Sequence, residues 1–270
     1  MASDVNAYVH GYSDTEHSRL LDQAHTLSQL LHQDTRFPAG SRVLEAGCGV
    51  GAQTVILAAQ SPDALVTSID ISANSLNAAI ARTHAAGLSN VTFLQADVCS
   101  LPFENEEFDH AFVCFVLEHL TEPVRALTEV ARVLKTGGTL TAVEGDHGSA
   151  YYHPRSREAQ RTIECLVELQ SRLGGNALIG RELYPLLRRA GFEKVRTEPR
   201  VVYADPSRPE WVDGFTRATF IAMVQGVKTQ ALQAGLLDEA TWNRGIAELL
   251  RTAGPDGTFS YTFFKAVAHK

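Results

Sequence analysis

Apolar and polar positions change their period several times along this chain. Leu20, Ala24, Leu27 and Leu31 recur at helical spacing behind Ser13 and Glu16, which make a capping-box start. They predict an amphipathic helix ending before Phe37-Pro38. From about Gly40 short apolar runs alternate with helical ones. A strand runs into Ala46, a helix spans Ala52 to Ala59, and strands follow at Leu65 to Ile69 and Val91 to Leu94. A helix from Glu122 to Leu134 has Thr121 as its N-cap, Pro123 in its first turn and Gly137-Gly138 beyond its end. Past Asp146 the pattern is mainly helical, with Ile163, Leu166, Val167 and Gln170 on one face until Gly174-Gly175-Asn176 stops it. Then come a helix from Arg181 to Ala190, a strand from Val195 to Tyr203, helices at Trp211 to Ala234 and Glu239 to Ala253, and a strand from Thr258 to Ala268.

This alternation predicts an α/β fold with helices on both faces of a sheet. The chain divides into a helical N-terminal lid over residues 1–39 and one α/β domain over 40–270. That domain carries helical insertions at about 146–179 and 206–256, and there is no repeat or flexible linker.

The segment Val43 to Thr54, VLEAGCGVGAQT, carries the most chemistry. Glycines at 47, 49 and 51 let backbone turn sharply and approach a ligand, and the helix after them starts at the same place. Residues 47–52 also satisfy G-x-G-x-x-G/A, so a dinucleotide is one candidate ligand. Glu45, Asp70 and Asp97 stand at or just beyond the ends of three successive strands. Three carboxylates there suit a ligand made of an amino acid, a ribose and an adenine without a pyrophosphate, which is S-adenosylmethionine. The competing reading, an NAD-dependent oxidoreductase, has a Tyr-x-x-x-Lys pair in Tyr261 and Lys265. That pair lies in an aromatic, strand-like run and not on a helix.

From about Gly40 to Gly145 the chain resembles the class I methyltransferases that use S-adenosylmethionine. VLEAGCGVG, SIDIS, QADV and FDHAFVCFVLEHL follow one another in that family's order, and VLKTGGTL leads into a fifth strand. The resemblance implies a Rossmann-like, mostly parallel sheet with an antiparallel last strand, flanked by helices. It implies S-adenosyl-L-methionine as cofactor and S-adenosyl-L-homocysteine as product. On these motifs Gly47 and Gly49, with Glu45 before them, would lie under the methionine part, while Asp70 and Ile71 would take the ribose. Asp97 and Val98 would read the adenine, and Cys114 and Phe115 would border the sulfonium. EGDHGS, GRELYPLL and TFSYTFFK are similar to a subgroup acting on small molecules. A non-catalytic protein that binds S-adenosylmethionine is the alternative within the same fold.

Methyl transfer from a sulfonium is an in-line displacement in which positioning supplies much of the acceleration. A base is the further requirement for an O–H or N–H acceptor. Candidates cluster after the fifth strand and in the leader: His147, Glu144, Tyr8 and His10 for catalysis, with Tyr12, Asp146, Tyr151, Tyr152 and His153 for acceptor binding. Glu144 and Asp146, so near in sequence, are expected to raise the pKa of His147. His10 reads equally as lid packing, and His119 as a packing or capping residue. Asp146, His147 and His153 lack any recognised zinc spacing, and no metal is assigned. Aromatic residues in the leader and insertions, Trp211, Phe215 and Phe220 among them, favour a flat, partly apolar acceptor. An indole or other electron-rich ring of secondary metabolism fits, methylated at carbon, nitrogen or oxygen.

Composition narrows the partners. The 270 residues are 44% hydrophobic and 20% charged, an ordinary globular balance, with a net charge of -7. An acidic chain without a basic stripe is not expected to bind nucleic acid. Cysteines at 48, 99, 114 and 165 form no CxxC pair and read as reduced thiols in a cytoplasmic protein. No apolar window approaches membrane-spanning length, and the first residues lack a basic start followed by an apolar run, so no membrane or export is expected. A small molecule is the expected partner, and self-association into a homodimer is left open.

Overall fold

The computed structural model describes residues 14–270, with side chains from Arg19 onward. The expectations at Tyr8, His10 and Tyr12, and the Ser13/Glu16 capping box, lie outside the described residues.

The short apolar runs form strands β1 (Arg42–Ala46), β2 (Leu65–Asp70), β3 (Val91–Gln95), β4 (Phe108–Cys114), β5 (Leu134–His153), β6 (Glu193–Ala204) and β7 (Thr258–His269). They make one sheet in the order β3-β2-β1-β4-β5-β7-β6. Pairing is parallel from β3 to β5, whereas β7 runs antiparallel to both β5 and β6. The expected Rossmann-like methyltransferase sheet with an antiparallel last strand is therefore present.

Helices α1 (Asp14–His32), α2 (Ala52–Gln60), α3 (Ala73–Ala85), α4 (Pro123–Val133), α5 (Arg157–Arg172) and α6 (Leu183–Arg189) lie between these strands or precede them. Between β6 and β7 stand α7 (Pro209–Trp211), a π-helical stretch Val212–Ile221, α8 (Ala222–Gly226), α9 (Lys228–Gln233) and α10 (Glu239–Arg251). Local chemistry sets their starts. Ser72, Ser156 and Asp238 cap α3, α5 and α10 by accepting amides at 3.2, 3.2 and 2.8 Å. At α4 the cap position falls to Glu122, not Thr121, and no side chain bonds there; Pro123 fixes the first turn instead.

The two sheet faces separate as a period of two requires. In β4, Ala111 and Val113 pack with Leu127 and Val130 of α4 and Leu183 and Leu187 of α6. Phe112 between them turns to the other face, where Leu27 and Leu31 of α1 meet Phe215, Phe259 and Trp242. Leu27 and Leu31 are fully buried, each worth about 2 kcal/mol on this count. The helical spacing of the leader thus becomes a roof helix packed on the sheet. Its C-terminal end is tied down by Lys265 of β7, whose Nζ donates to the Leu31 carbonyl at 2.9 Å and to Thr35 Oγ1 at 2.6 Å.

One boundary differs from the sequence reading. Residues 146–153 continue β5 and do not open an insertion, because Tyr151, Tyr152 and His153 pair with Ser260, Phe259 and Thr258 of β7 after a register shift. The helical part begins only at Arg157.

Candidate active site

The glycine turn after β1 is held by the neighbouring strand. The Gly47 and Cys48 amides both donate to the Ile69 carbonyl at 2.9 Å. Gly47, at φ +78°, could carry no side chain, since a Cβ would collide with Val116. At Gly49, φ +52°, a Cβ would meet nothing within 4 Å, because this glycine borders open cavity. Asp70, at the end of β2, accepts the Gly49 amide on Oδ2 and the Ser72 amide on Oδ1, each at 2.8 Å. Burial raises its pKa, and these amides hold it down in opposition.

One cavity beyond the carboxyl ends of the strands is lined by Gly47, Gly49, Asp70, Ile71, Asp97, Val98, Cys114 and Phe115. The fold places the ligand crevice of open α/β sheets at this spot. Asp97 is exposed at its rim, and its Oδ1 accepts the Cys99 amide at 2.8 Å. Phe115 has φ +57°, a strained value for a residue with a side chain, and its ring stands 5.4 Å from that of Phe263. Glu45 is the exception among the expected cofactor residues. It lies beneath the turn, fully buried, and accepts the hydroxyls of Thr54 and Ser68 at 2.7 and 2.6 Å. Burial pushes its carboxyl up to about 7, so its job is to join β1, α2 and β2.

The other half of the cavity is aromatic. Phe215, Phe220 and Met223 from the second insertion face Tyr261 and Phe263 of β7. The π-helical turn brings Phe215 and Phe220, five apart, to the same lining, and the Thr219 hydroxyl bonds back to the Gly214 carbonyl at 2.8 Å. Trp211, by contrast, packs under Arg208 and away from the cavity.

The groups placed after the fifth strand divide. His147 lines the cavity and is buried. Its Nδ1 lies 2.6 Å from the Tyr261 hydroxyl and its Nε2 3.9 Å from Glu118 Oε2. Burial lowers its pKa, opposed by Glu118, so the expected upward shift is reversed. The carboxylates nearest in sequence have other partners. Glu144 is fully buried and accepts the Val116 and Leu117 amides at 3.0 and 2.8 Å, which shapes the turn after β4. Asp146 forms a two-point ion pair with Arg181, both contacts at 2.7 Å. Neither lines the cavity. Tyr151 is 74% exposed, Tyr152 stacks on Phe259 at 6.2 Å and His153 is exposed, all on the extension of β5 away from the site. The catalytic role expected of Glu144 and the acceptor roles expected of Asp146, Tyr151, Tyr152 and His153 therefore have no geometric support: Glu144 and Asp146 alternate with cavity-lining Gly145 and His147, and extra strand pairing carries Tyr151, Tyr152 and His153 past the cavity.

The lining residues absent from the expected site set include Arg19 and Gln23 of α1, Glu118 and Tyr261. Glu118 was hidden in LEHL beside His119, which also lines the cavity. Tyr261 stood in plain view as half of the Tyr-x-x-x-Lys pair. Here Tyr261 reaches His147 while Lys265 turns to α1, so the pair does not act together.

Comparison with known proteins now decides between the cofactors. Residues 44–142 match a family described as "Methyltransferase domain". The chain is 30% identical over 230 residues to 27-O-demethylrifamycin SV methyltransferase of Amycolatopsis mediterranei, covering 83% of this chain and 77% of that protein. It belongs to the class I S-adenosylmethionine-dependent methyltransferases. This methyltransferase is also 37% identical over 106 residues to demethylmenaquinone methyltransferase of Staphylococcus aureus, covering 39% of this chain and 43% of that one. Among solved structures it is similar to the [4+2]-cyclase SpnF (TM-score 0.56, 22% identity), covering 98% of this chain and 85% of that one. At that identity the likeness shows the fold alone.

The residues present fit S-adenosylmethionine. Gly49 leaves room for a ligand, and Asp70 keeps a second lone pair on each oxygen. The enzyme thus uses S-adenosylmethionine on a small-molecule acceptor. Among the described residues no helix is long and apolar enough to cross a membrane.

Proposed function

We propose that this enzyme methylates a hydroxyl group on a largely apolar small molecule. The observation that carries this reading is the contrast within one cavity. An aromatic wall of Phe115, Phe215, Phe220, Met223 and Phe263 lines the same cavity as a polar floor of Glu118, His119, His147 and Tyr261, and His147 and Tyr261 stand directly against Phe220. Such a wall holds a ring system or hydrophobic scaffold, and a few placed polar groups orient its reacting atom. The floor can take up a proton, and a hydroxyl, a poor nucleophile until its O–H bond breaks, gains most from a base beside it. The similarity to an enzyme named for a rifamycin 27-O-demethyl compound supports oxygen as the nucleophile. An indole-type acceptor, the narrower expectation, draws on the same aromatic wall, and its ring carbon or nitrogen would likewise have to give up a proton.

Gly47, Gly49, Asp70, Asp97 and Val98 would hold the cofactor along the strand ends, with Asp70 at the ribose. When bound there, S-adenosylmethionine supplies an electrophilic methyl carbon on a sulfonium leaving group. The chain's own part is to exclude water beneath α1 and the π-helical turn and to orient the acceptor against Phe115. A turnover assay with labelled S-adenosylmethionine on naphthol and naphthylamine, a matched pair of probes, separates the readings. Transfer to naphthol alone is expected, and transfer confined to naphthylamine or to ring carbon would sink the hydroxyl reading.

A further inference from the structure

We propose that Glu118, and not His147, takes the acceptor's proton, while His147 is locked by Tyr261 into donating a hydrogen bond to the acceptor oxygen. The inference rests on the hydroxyl reading above and assigns the two halves of the floor opposite roles.

The proton of one phenol decides the two roles. Tyr261 is buried, and the hydrogen of its phenol needs an acceptor, because a buried hydroxyl without one is costly. His147 Nδ1, 2.6 Å away, is the acceptor in reach. Burial also raises the Tyr261 pKa well above its ordinary value and lowers that of His147. A protonated phenol thus meets a neutral imidazole. A neutral imidazole that accepts at Nδ1 carries its hydrogen on Nε2 and has no lone pair there for a substrate proton.

That Nε2–H faces Glu118 Oε2 across 3.9 Å, and both residues line the cavity. The gap is too long for a direct hydrogen bond. It suits a hydroxyl oxygen lying about 2.7–2.9 Å from each, accepting from His147 and donating to Glu118. The Glu118 backbone is held for this task. Its carbonyl accepts the Asn176 amide at 2.8 Å and Gln170 Nε2 at 3.0 Å, and Gln170 also reaches Oε2 at 3.3 Å. The groups facing Glu118 are His119 at 3.6 Å, His147, Gln170 of α5, Glu144 of β5 and Tyr261 of β7, with Arg19 of α1 close to His147. In the transfer, the acceptor O–H bond breaks towards Glu118, giving a neutral carboxylic acid. The oxygen pair so retained closes the bond to the methyl carbon, and the carbon–sulfur pair stays with sulfur, cancelling the sulfonium charge.

The tautomer can be read directly, without turnover. In the full chain with isotope-labelled histidine and S-adenosylhomocysteine bound, long-range proton–nitrogen correlation near neutral pH should show His147 neutral and protonated on Nε2. The resonance is assigned by its loss in His147→Gln. Tyr261→Phe should shift it towards the other tautomer. An Nδ1-protonated ring or an imidazolium would overturn the proposal, as would indifference to Tyr261→Phe. With naphthol as acceptor, Glu118→Gln should lower kcat about 100-fold, leaving S-adenosylhomocysteine affinity within about twofold. His147→Gln should mainly raise KM, and the reverse pattern would restore His147 as the base. Transfer to naphthylamine alone, with the expected tautomer, would instead count against the hydroxyl reading.

Discussion

Asp70 Oδ2 holds the Gly49 amide at 2.8 Å, so the carboxylate at the end of β2 shapes the glycine turn as well as facing the ligand crevice. Asp70→Ala should therefore do two things at once. Two backbone amides lose their acceptor, at about 1–3 kcal/mol for each that stays buried, and the ribose loses a charged partner. Thermal melting should fall, and S-adenosylhomocysteine affinity by calorimetry should fall about tenfold or more. A lower melting point with unchanged affinity would confine Asp70 to turn support.

Gly47 and Val116 give a second, steric test. Gly47→Ala must place a Cβ against the Val116 side chain at a backbone angle of φ +78°. A cost of about 1–3 kcal/mol is expected from strain and overpacking together. Gly47→Ala with Val116→Ala removes the collision and leaves the strain, so it should recover part of the stability in urea denaturation. No recovery would mean that the backbone angle alone carries the cost.

The strand-end half of the cavity was legible in the sequence because its residues are local. Gly47, Gly49, Asp97 and Val98 follow a strand by a few positions, Asp70 ends one, and a parallel sheet brings strand ends together without further information. The acceptor half is assembled over long separations. His147 meets Tyr261 from 114 residues away, and Gln170 meets Glu118 from 52, and no spacing rule announces such pairs. Glu144 and Asp146 misled for a related reason. Being near His147 in sequence placed them in the same strand, but their side chains went to the Leu117 amide and to Arg181. The run 149–153 falls, on the sequence pattern, in a mainly helical insertion, and only its pairing with β7 makes it strand.

Lys265 tests whether the roof helix depends on β7. Its Nζ, beneath α1, bonds the Leu31 carbonyl, Thr35 Oγ1 and Asp34 Oδ1 at 2.9, 2.6 and 2.5 Å. Lys265→Met keeps most of the volume and removes all three bonds, for an expected loss of about 1–3 kcal/mol. Hydrogen exchange should quicken over the last turns of α1. Because Arg19, Leu20 and Gln23 of the same helix line the cavity, S-adenosylhomocysteine should bind more weakly as well. Unchanged exchange in α1 would show that apolar packing alone seats the roof.

Two buried groups should shape stability against pH in opposite senses. Glu45 is raised from 4.5 to about 7, chiefly by burial, so the folded state favours its protonated form. Its contribution is whole below about pH 4.5 and is lost as pH rises through about 7, a change of ~3 kcal/mol. His32 is lowered from 6.5 to about 4, by burial first and then by the charge on Lys265. Its contribution is present above about pH 6.5 and is lost as pH falls through about 4. Urea denaturation between about pH 4 and pH 8 should thus show a maximum within that range. Glu45→Gln should flatten the alkaline side even if it lowers stability throughout, since its amide nitrogen gains no partner from Thr54 or Ser68, whose hydroxyls already donate to Glu45. His32→Leu, replacing a ring whose nitrogens have no partner in the core, should flatten the acid side. An unchanged alkaline slope in Glu45→Gln would mean that Glu45 stays ionised when buried, held by those two hydroxyls.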